Sequence, residues 1–250
     1  MRTSFVVPAH NESHLISAVV TAIRDAATAA ALHHEIIVVD DASDDGTGPI
    51  AEAAGARVVR VEHRHIAATR NSGAAASDSP WIIFVDGDTI VTPKVIDEAA
   101  QSLRAGAAGG GCRVRWEGRI PLYGRVLLGP TQWILQRLMG GTSGCFIFCT
   151  RAAFEEAGGF DEALYASEEL GFCRGVRRAG RFEIVPGHVI TSGRKLRAFS
   201  AREIFGVLWL VMRRGPSALR RREGLDVWYG DRIREGESEW AVSRRTDPTH

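Results

Sequence analysis

Trp81-Ile82-Ile83-Phe84-Val85-Asp86-Gly87-Asp88 joins five large apolar residues directly to two carboxylates. A β-branched and aromatic run bounded by polar residues is the signature of a strand buried on both faces. Such strands sit inside α/β sheets, where ligands collect beyond the carboxyl ends of the strands. Asp86 and Asp88 stand two residues apart at that end, with Gly87 between them to let backbone approach a ligand. Two hard oxygen donors suit Mg²⁺ or Mn²⁺, with phosphate oxygens completing the shell. Asp-x-Asp alone also occurs as a polar turn capping a helix. Its position after WIIFV favours the metal.

Working outward, the same pattern recurs. SFVV (Ser4–Val7) and EIIVV (Glu35–Val39) are apolar strands, and ARVVRV (Ala56–Val61) is a third. Helices are expected between them. Leu15, Ile16, Val19, Val20 and Ile23 recur at helical spacing, and further helices fall near Pro49–Ala54, Ala67–Ala76 and Ile96–Leu103. Strand alternating with helix predicts a doubly wound, mostly parallel sheet. In that arrangement Pro8-Ala9-His10-Asn11-Glu12, Asp40–Asp45 and Asp86-Gly87-Asp88 share one sheet edge. GCFIFC predicts another strand, Arg151–Ala157 and Leu170–Arg178 helices, and RFEIV with HVITS a strand pair around Pro186-Gly187.

Several patterns carry a bland reading beside a functional one. Asp41, Ser43, Asp45, Gly46 and Glu52 match a calcium-loop spacing, but that loop follows a helix and this one follows a strand. Ser43, Asp44 and Asp45 read instead as turn and cap residues, leaving Asp41 for a ligand. GAAGGG (Gly106–Gly111) follows a helix and lacks the dinucleotide order, so it predicts a helix stop and a permissive turn. Glu168-Glu169 opens a helix, where acidic residues suit the macrodipole; the alternative is a general base. Arg194 and Lys195 follow a strand in TSGRK, as a solvated loop or as cations for a departing diphosphate. His188 reads as a surface histidine rather than a metal ligand.

Bulk properties set the limits. The 250 residues are 45% hydrophobic, enough for one large core, and 31 basic against 30 acidic residues give no field that advertises nucleic acid. Cys112, Cys145, Cys149 and Cys173 form no C-x-x-C pair, which points to reduced thiols in the cytoplasm. No signal-peptide pattern precedes the first strand. The apolar run Ile204–Met212 is far short of the ~20 residues that span a bilayer. Flanked by Arg202, Arg213 and Arg214, it is either a core helix or a peripheral contact with an anionic membrane holding a lipid-linked acceptor.

VVPAHNE (Val6–Glu12), VVDDASDDGT (Val38–Thr47), ATRNSG (Ala68–Gly73), FVDGD (Phe84–Asp88), GGFDE (Gly158–Glu162), SEELGF (Ser167–Phe172) and VITSGRK (Val189–Lys195) occur in this order. Together they resemble the family 2 glycosyltransferases of the GT-A fold. The resemblance implies one glycosyltransferase domain over residues 1–235, with a donor-nucleotide half (1–115), an acceptor half (116–235) and a polar tail (236–250). It implies that Pro8, Ala9, His10 and Glu12 surround the donor base and ribose, that Asp41 contacts the nucleobase, and that Arg70 lies near the donor. Asp86 and Asp88 would serve the metal, Mn²⁺ or Mg²⁺, and the ribose–diphosphate, with Gly87 beside the donor. Glu169 falls where the family usually carries an aspartate base; this chain has Glu168-Glu169 in place of Glu-Asp, so Glu168 stays a candidate.

The implied reaction is inverting transfer from a nucleoside-diphosphate sugar to a hydroxyl. A nucleotidyltransferase would want a glycine-rich triphosphate loop that VVPAHNE does not offer. A catalytically silent nucleotide-sugar-binding protein is the other alternative.

Overall fold

A computed structural model of the chain describes residues 1–117, 142–165 and 167–193. The chain enters through β1 (Arg2–Ala9), which leads by a short loop to α1 (Ile16–Ala29). β2 (His33–Asp41), α2 (Thr47–Ala53), β3 (Arg57–Val61), α3 (Ile66–Ala75) and β4 (Trp81–Val85) continue the alternation. Next come the two-residue β5 (Thr89–Ile90), α4 (Pro93–Arg104) and β6 (Gly109–Glu117). β7 (Phe146–Thr150), α5 (Arg151–Ala157), α6 (Glu168–Ala179) and β8 (Phe182–Ser192) complete the described chain.

The strands form one sheet in the order β3-β2-β1-β4-β7-β6-β8-β5. β3, β2, β1 and β4 are mutually parallel; β7 runs against both β4 and β6; β6 and β8 are parallel; β5 runs against β8. This is the mixed, mostly parallel α/β sheet expected of the alternating pattern. Period-two alternation sorts its side chains into two cores. Phe5, Val7 and Val38 pack with α1 and α4 on one face. Val6, Val39, Ile82 and Phe84 pack with α3, α5 and α6 on the other. Gly73 brings α3 onto the sheet: a Cβ there would overlap Val6 and lie 2.8 Å from a Val39 methyl.

Local chemistry sets the helix ends. Thr92 accepts a bond from the Val95 amide, with Pro93 at the first helical position of α4. Thr150 accepts from the Ala153 amide, and Gly158, at φ 76°, ends α5.

Two expectations are corrected. RFEIV and HVITS are not a strand pair but one strand, β8, which pairs with β6 throughout. The register jumps from Cys112–Val185 to Arg113–His188, so Pro186 and Gly187 form a bulge. Proline has no amide to give to a ladder, and the Gly187 amide donates to Glu98 on α4 at 2.5 Å. GAAGGG is a turn only as far as Gly106, at φ 85°; Gly109, Gly110 and Gly111 already belong to β6. The acceptor half and tail expected over 116–250 lie mostly outside the described residues, as do Arg194, Lys195 and the run Ile204–Met212.

Candidate active site

Because β1, β2 and β4 are parallel, the loops after Ala9, Asp41 and Val85 leave from the same sheet edge. The first two are laced together. The Asn11 amide donates to Ser43 Oγ at 3.0 Å, and the Asp44 amide donates back to Asn11 Oδ1 at 3.0 Å. The Glu12 amide donates to Thr47 Oγ1 at 2.8 Å, and the Ser13 amide to Asp45 Oδ2 at 3.0 Å. Burial opposes ionisation of Asp45, but bonds from Thr47 and Ser13 hold its carboxyl below the usual range. Ser43, Asp44 and Asp45 therefore organise the turn, as expected, but none of them caps the helix: the N-cap of α2 is Gly46, with no side-chain cap bond.

The third loop docks against the first. A Cβ on Gly87 would lie 3.1 Å from the Pro8 carbonyl and 3.3 Å from Glu12 Cγ. A side chain there would have to push the Pro8 carbonyl or Glu12 aside by a few tenths of an ångström, so glycine lets Asp86-Gly87-Asp88 settle most easily. Pro8, Ala9, Glu12, Asp86, Gly87 and Asp88 are thereby brought together.

Asp41 carries a task that its sequence position did not reveal. It is buried, and its carboxylate accepts from the Arg64 amide at 2.8 Å, the His65 amide at 3.1 Å and Thr69 Oγ1 at 2.8 Å. It pins the turn from β3 into α3, where Arg64 has φ 51°. Its backbone carbonyl meets His10 Nδ1 at 2.8 Å, and the Arg64 guanidinium packs on the His10 ring. Burial, then the Arg64 charge, lowers the His10 pKa and favours the neutral ring.

The far side of this cluster is organised by Arg70, which is 2% exposed. Its Nη1 donates to Glu168 Oε1 at 2.6 Å; its Nη2 donates to Asp86 Oδ1 at 2.8 Å and to the Gly144 carbonyl at 3.0 Å. The Phe160 ring lies 5.1 Å from the guanidinium carbon. Burial works against the charge, but Asp86 and Glu168 outweigh it and raise the Arg70 pKa. The neighbouring Asn71 fixes the Gly158–Glu162 loop, donating to the Phe160 carbonyl at 2.9 Å and accepting from its amide at 2.9 Å. Adjacent residues of α3 thus hold the sheet edge and the segment leading to α6.

Glu168 and Glu169 open α6 and differ in environment. Glu168 is buried against Arg70. Glu169 is partly exposed as a residue but its carboxyl is enclosed, and a Cβ on Gly144 would sit 3.6 Å from its Cγ. Burial first, and then repulsion from Glu168, push the Glu169 pKa well above the carboxylate range, with Arg70 acting the other way.

Asp88 is held from β8. Thr191 Oγ1 reaches Asp88 Oδ1 at 3.3 Å, Thr89 Oγ1 reaches Thr191 Oγ1 at 3.0 Å, and the Ser192 amide donates to the Asp88 carbonyl at 3.2 Å. Thr89, Thr191, Asn71, Arg64 and Gly144 escaped sequence reasoning, since hydroxyls and amides far apart in the chain leave no local signature. His188 lies 3.5 Å from Arg115, and burial followed by the Arg115 and Lys94 charges lowers its pKa. It stands outside this cluster.

The donor set fits a divalent cation. Among the described residues no group of three or more His, Cys, Asp or Glu side chains is placed to hold a metal. Asp86 and Asp88 would supply two hard oxygens, and Mg²⁺ or Mn²⁺ bound in that way takes its remaining ligands from phosphate and water.

Comparison with known proteins agrees with this architecture. The model for glycosyl transferase family 2 matches residues 4–158, and the chain belongs to that family. Succinoglycan biosynthesis protein ExoO of Rhizobium meliloti (strain 1021) is 32% identical over 148 residues, 58% of this chain and 41% of that protein. The chain therefore spans about two fifths of that relative. Among solved structures, S. aureus TarS 1-349 in complex with UDP-GlcNAc superposes with a TM-score of 0.64 at 16% identity, covering 99% of this chain and 77% of the other. Glucosyl-3-phosphoglycerate synthase from Mycobacterium tuberculosis, in complex with Mn²⁺, UDP and glucosyl-3-phosphoglycerate, gives 0.60 at 22% identity over 87% of this chain and 79% of that one. Mannosyltransferase PcManGT from Pyrobaculum calidifontis, with GDP-Man and Mn²⁺, gives 0.61 at 18% identity over 78% and 60%. These likenesses define the fold as GT-A.

Proposed function

We propose that this chain is a glycosyltransferase that moves a sugar from a nucleoside-diphosphate sugar to a hydroxyl acceptor, with a divalent cation and inversion at the anomeric carbon. The observation that carries the reading is the single cluster in which Asp86, beyond β4, and Glu168-Glu169, opening α6, meet through Arg70. Family membership and the nucleotide sugars and Mn²⁺ held by proteins of the same fold support the reading.

The loops Pro8–Glu12 and Asp41–Asp45 form the cradle for the nucleotide, with Asp41 acting largely through the turn that it pins. Asp86 and Asp88 would hold the cation, and Gly87 leaves room for the backbone to approach the donor. When bound, the cation neutralises charge on the leaving nucleoside diphosphate. Glu169, in its ionised form, accepts the proton of the acceptor hydroxyl as that oxygen attacks the anomeric carbon and the nucleoside diphosphate leaves. Glu168 is the poorer base, because Arg70 already holds its carboxylate. Arg194 and Lys195 come two and three residues after the end of β8 in sequence and supply further cations for the leaving group. A lipid-linked acceptor and a peripheral membrane contact rest on residues 202–214, outside the described part. Among the described residues no helix is long and apolar enough to cross a membrane.

The test is release of nucleoside diphosphate from UDP- and GDP-sugars with Mn²⁺ or Mg²⁺. Release that depends on metal supports an enzyme. Binding of nucleotide without any release, under all acceptors offered, would reduce the chain to a nucleotide-sugar-binding protein.

A further inference from the structure

Arg70 lies in α3, remote in sequence from both carboxylates that it holds. Asp86 is 16 residues away and Glu168 is 98 residues away. One side chain therefore spans the donor-side loop and the first turn of the helix that carries the base. A guanidinium presents its donors in a rigid planar fork, so pairing one nitrogen with each carboxylate fixes the direction of both. The side chain is only 3% exposed, and that of Glu168 only 6%. The Gly144 carbonyl and the Phe160 ring confine the same guanidinium, so its orientation is set from several elements at once. Gly144 also stands beside Glu169 Cγ, which places the acceptor-facing carboxylate in the same small cluster.

We infer that Arg70 is a positioning residue that divides the labour of the acidic cluster. By holding Glu168 it leaves Glu169 as the carboxylate that meets the acceptor. By holding one oxygen of Asp86 it would leave the other for the cation. Arg70 thereby joins donor binding and proton removal mechanically, without touching either substrate. The inference rests on the roles proposed above for Asp86 and Glu169. A lysine at position 70 would keep a positive charge but offer a single ammonium, which cannot hold both carboxylates in the same directions.

The test compares Arg70→Lys, Glu168→Gln and the double variant, well below their melting temperatures. Three quantities are measured: kcat at saturating donor and Mn²⁺, Mn²⁺ affinity from the electron paramagnetic resonance of free Mn²⁺, and Tm. Arg70→Lys is expected to lower kcat by about 10²-fold, as misplacement of reacting groups by an ångström does. It should also weaken Mn²⁺ binding by about tenfold, the usual effect of losing a partner that orients a metal ligand. Glu168→Gln should lower kcat by about tenfold and leave Mn²⁺ affinity within about twofold, since it disturbs only the base side. The double variant should be no slower than Arg70→Lys, because both changes break the same link.

Unchanged kcat and Mn²⁺ affinity in Arg70→Lys would overturn the inference. So would fully additive kcat losses that track loss of Tm, which mark a merely structural residue. Should Arg70→Lys fail to fold, Glu168→Gln decides: slower turnover with intact Mn²⁺ affinity supports the inference, and unchanged turnover overturns it. A wild-type chain that neither binds Mn²⁺ nor turns over removes the functional reading and the inference together.

Discussion

Thr191 and Asp88 are 103 residues apart, yet the Thr191 hydroxyl lies 3.3 Å from Asp88 Oδ1. The contact fastens the end of β8 to the loop proposed to hold the cation, and the Ser192 amide reinforces it through the Asp88 carbonyl. A carboxylate oriented by hydroxyl donors loses fewer alternatives when a metal arrives. Thr191→Val keeps the shape and removes the donor, so Mn²⁺ affinity should fall about tenfold. Thr191→Ser should hold close to wild type. Equal affinities for all three proteins, in a Mn²⁺ titration without donor, would show that the hydroxyl does not serve Asp88.

Donor binding should be linked to metal. A ligand at ~100 times its dissociation constant stabilises the native state by about 2.7 kcal/mol. In a chain of this size that raises Tm by roughly 5–10 °C. Differential scanning fluorimetry with nucleoside diphosphates, with and without Mn²⁺, measures it. Asp88→Asn should keep the ligand-free Tm and lose the metal-dependent part of the shift. A full shift in that variant would move the cation away from Asp88.

The two glutamates should separate kinetically. Glu169→Gln should retain donor affinity and lose about 10²–10⁴-fold in kcat, the usual cost of removing a general base. Glu168→Gln should be milder, because that carboxylate belongs to Arg70. The opposite ranking in single-turnover rates would transfer the base to Glu168.

The raised Glu169 pKa has a signed consequence for stability. Burial, then Glu168, hold its proton in the folded state, pushing the pKa from 4.5 up to about 8. Between those values the folded chain binds more proton than the unfolded chain, so this group makes stability fall as pH rises. Glu169→Gln should therefore flatten the Tm-against-pH curve over that window and raise Tm most at its alkaline end. An unchanged pH dependence would mean that Glu169 ionises like an exposed carboxyl.

Much of the architecture was legible because burial is written locally. WIIFV, EIIVV and SFVV announce strands closed on both faces, and their parallel order places the loops after Ala9, Asp41 and Val85 on one edge. The pairing of Arg70 with Glu168 was not legible, since nothing near Arg70 records a helix 98 residues on. The sequence resemblance points Asp41 to the nucleobase alone. Its bonds to two amides and Thr69 depend on how β3 turns into α3. Pro186-Gly187 carries the local chemistry of a turn, yet the partner strand β6 runs on past it and absorbs both residues as a bulge. At Pro186-Gly187 tertiary pairing overrode a local signal; at Arg70 and Asp41 the partners lie too far along the chain to leave one.

The most direct test of metal-dependent inverting transfer is the anomeric configuration of the first product. Nuclear magnetic resonance of the anomeric proton, recorded early in a reaction with nucleotide sugar, Mn²⁺ and an acceptor, reports it. A single displacement assisted by Glu169 predicts a product opposite in configuration to the donor, and no product once the metal is chelated. Retained configuration, or transfer undiminished by chelation, would contradict the account.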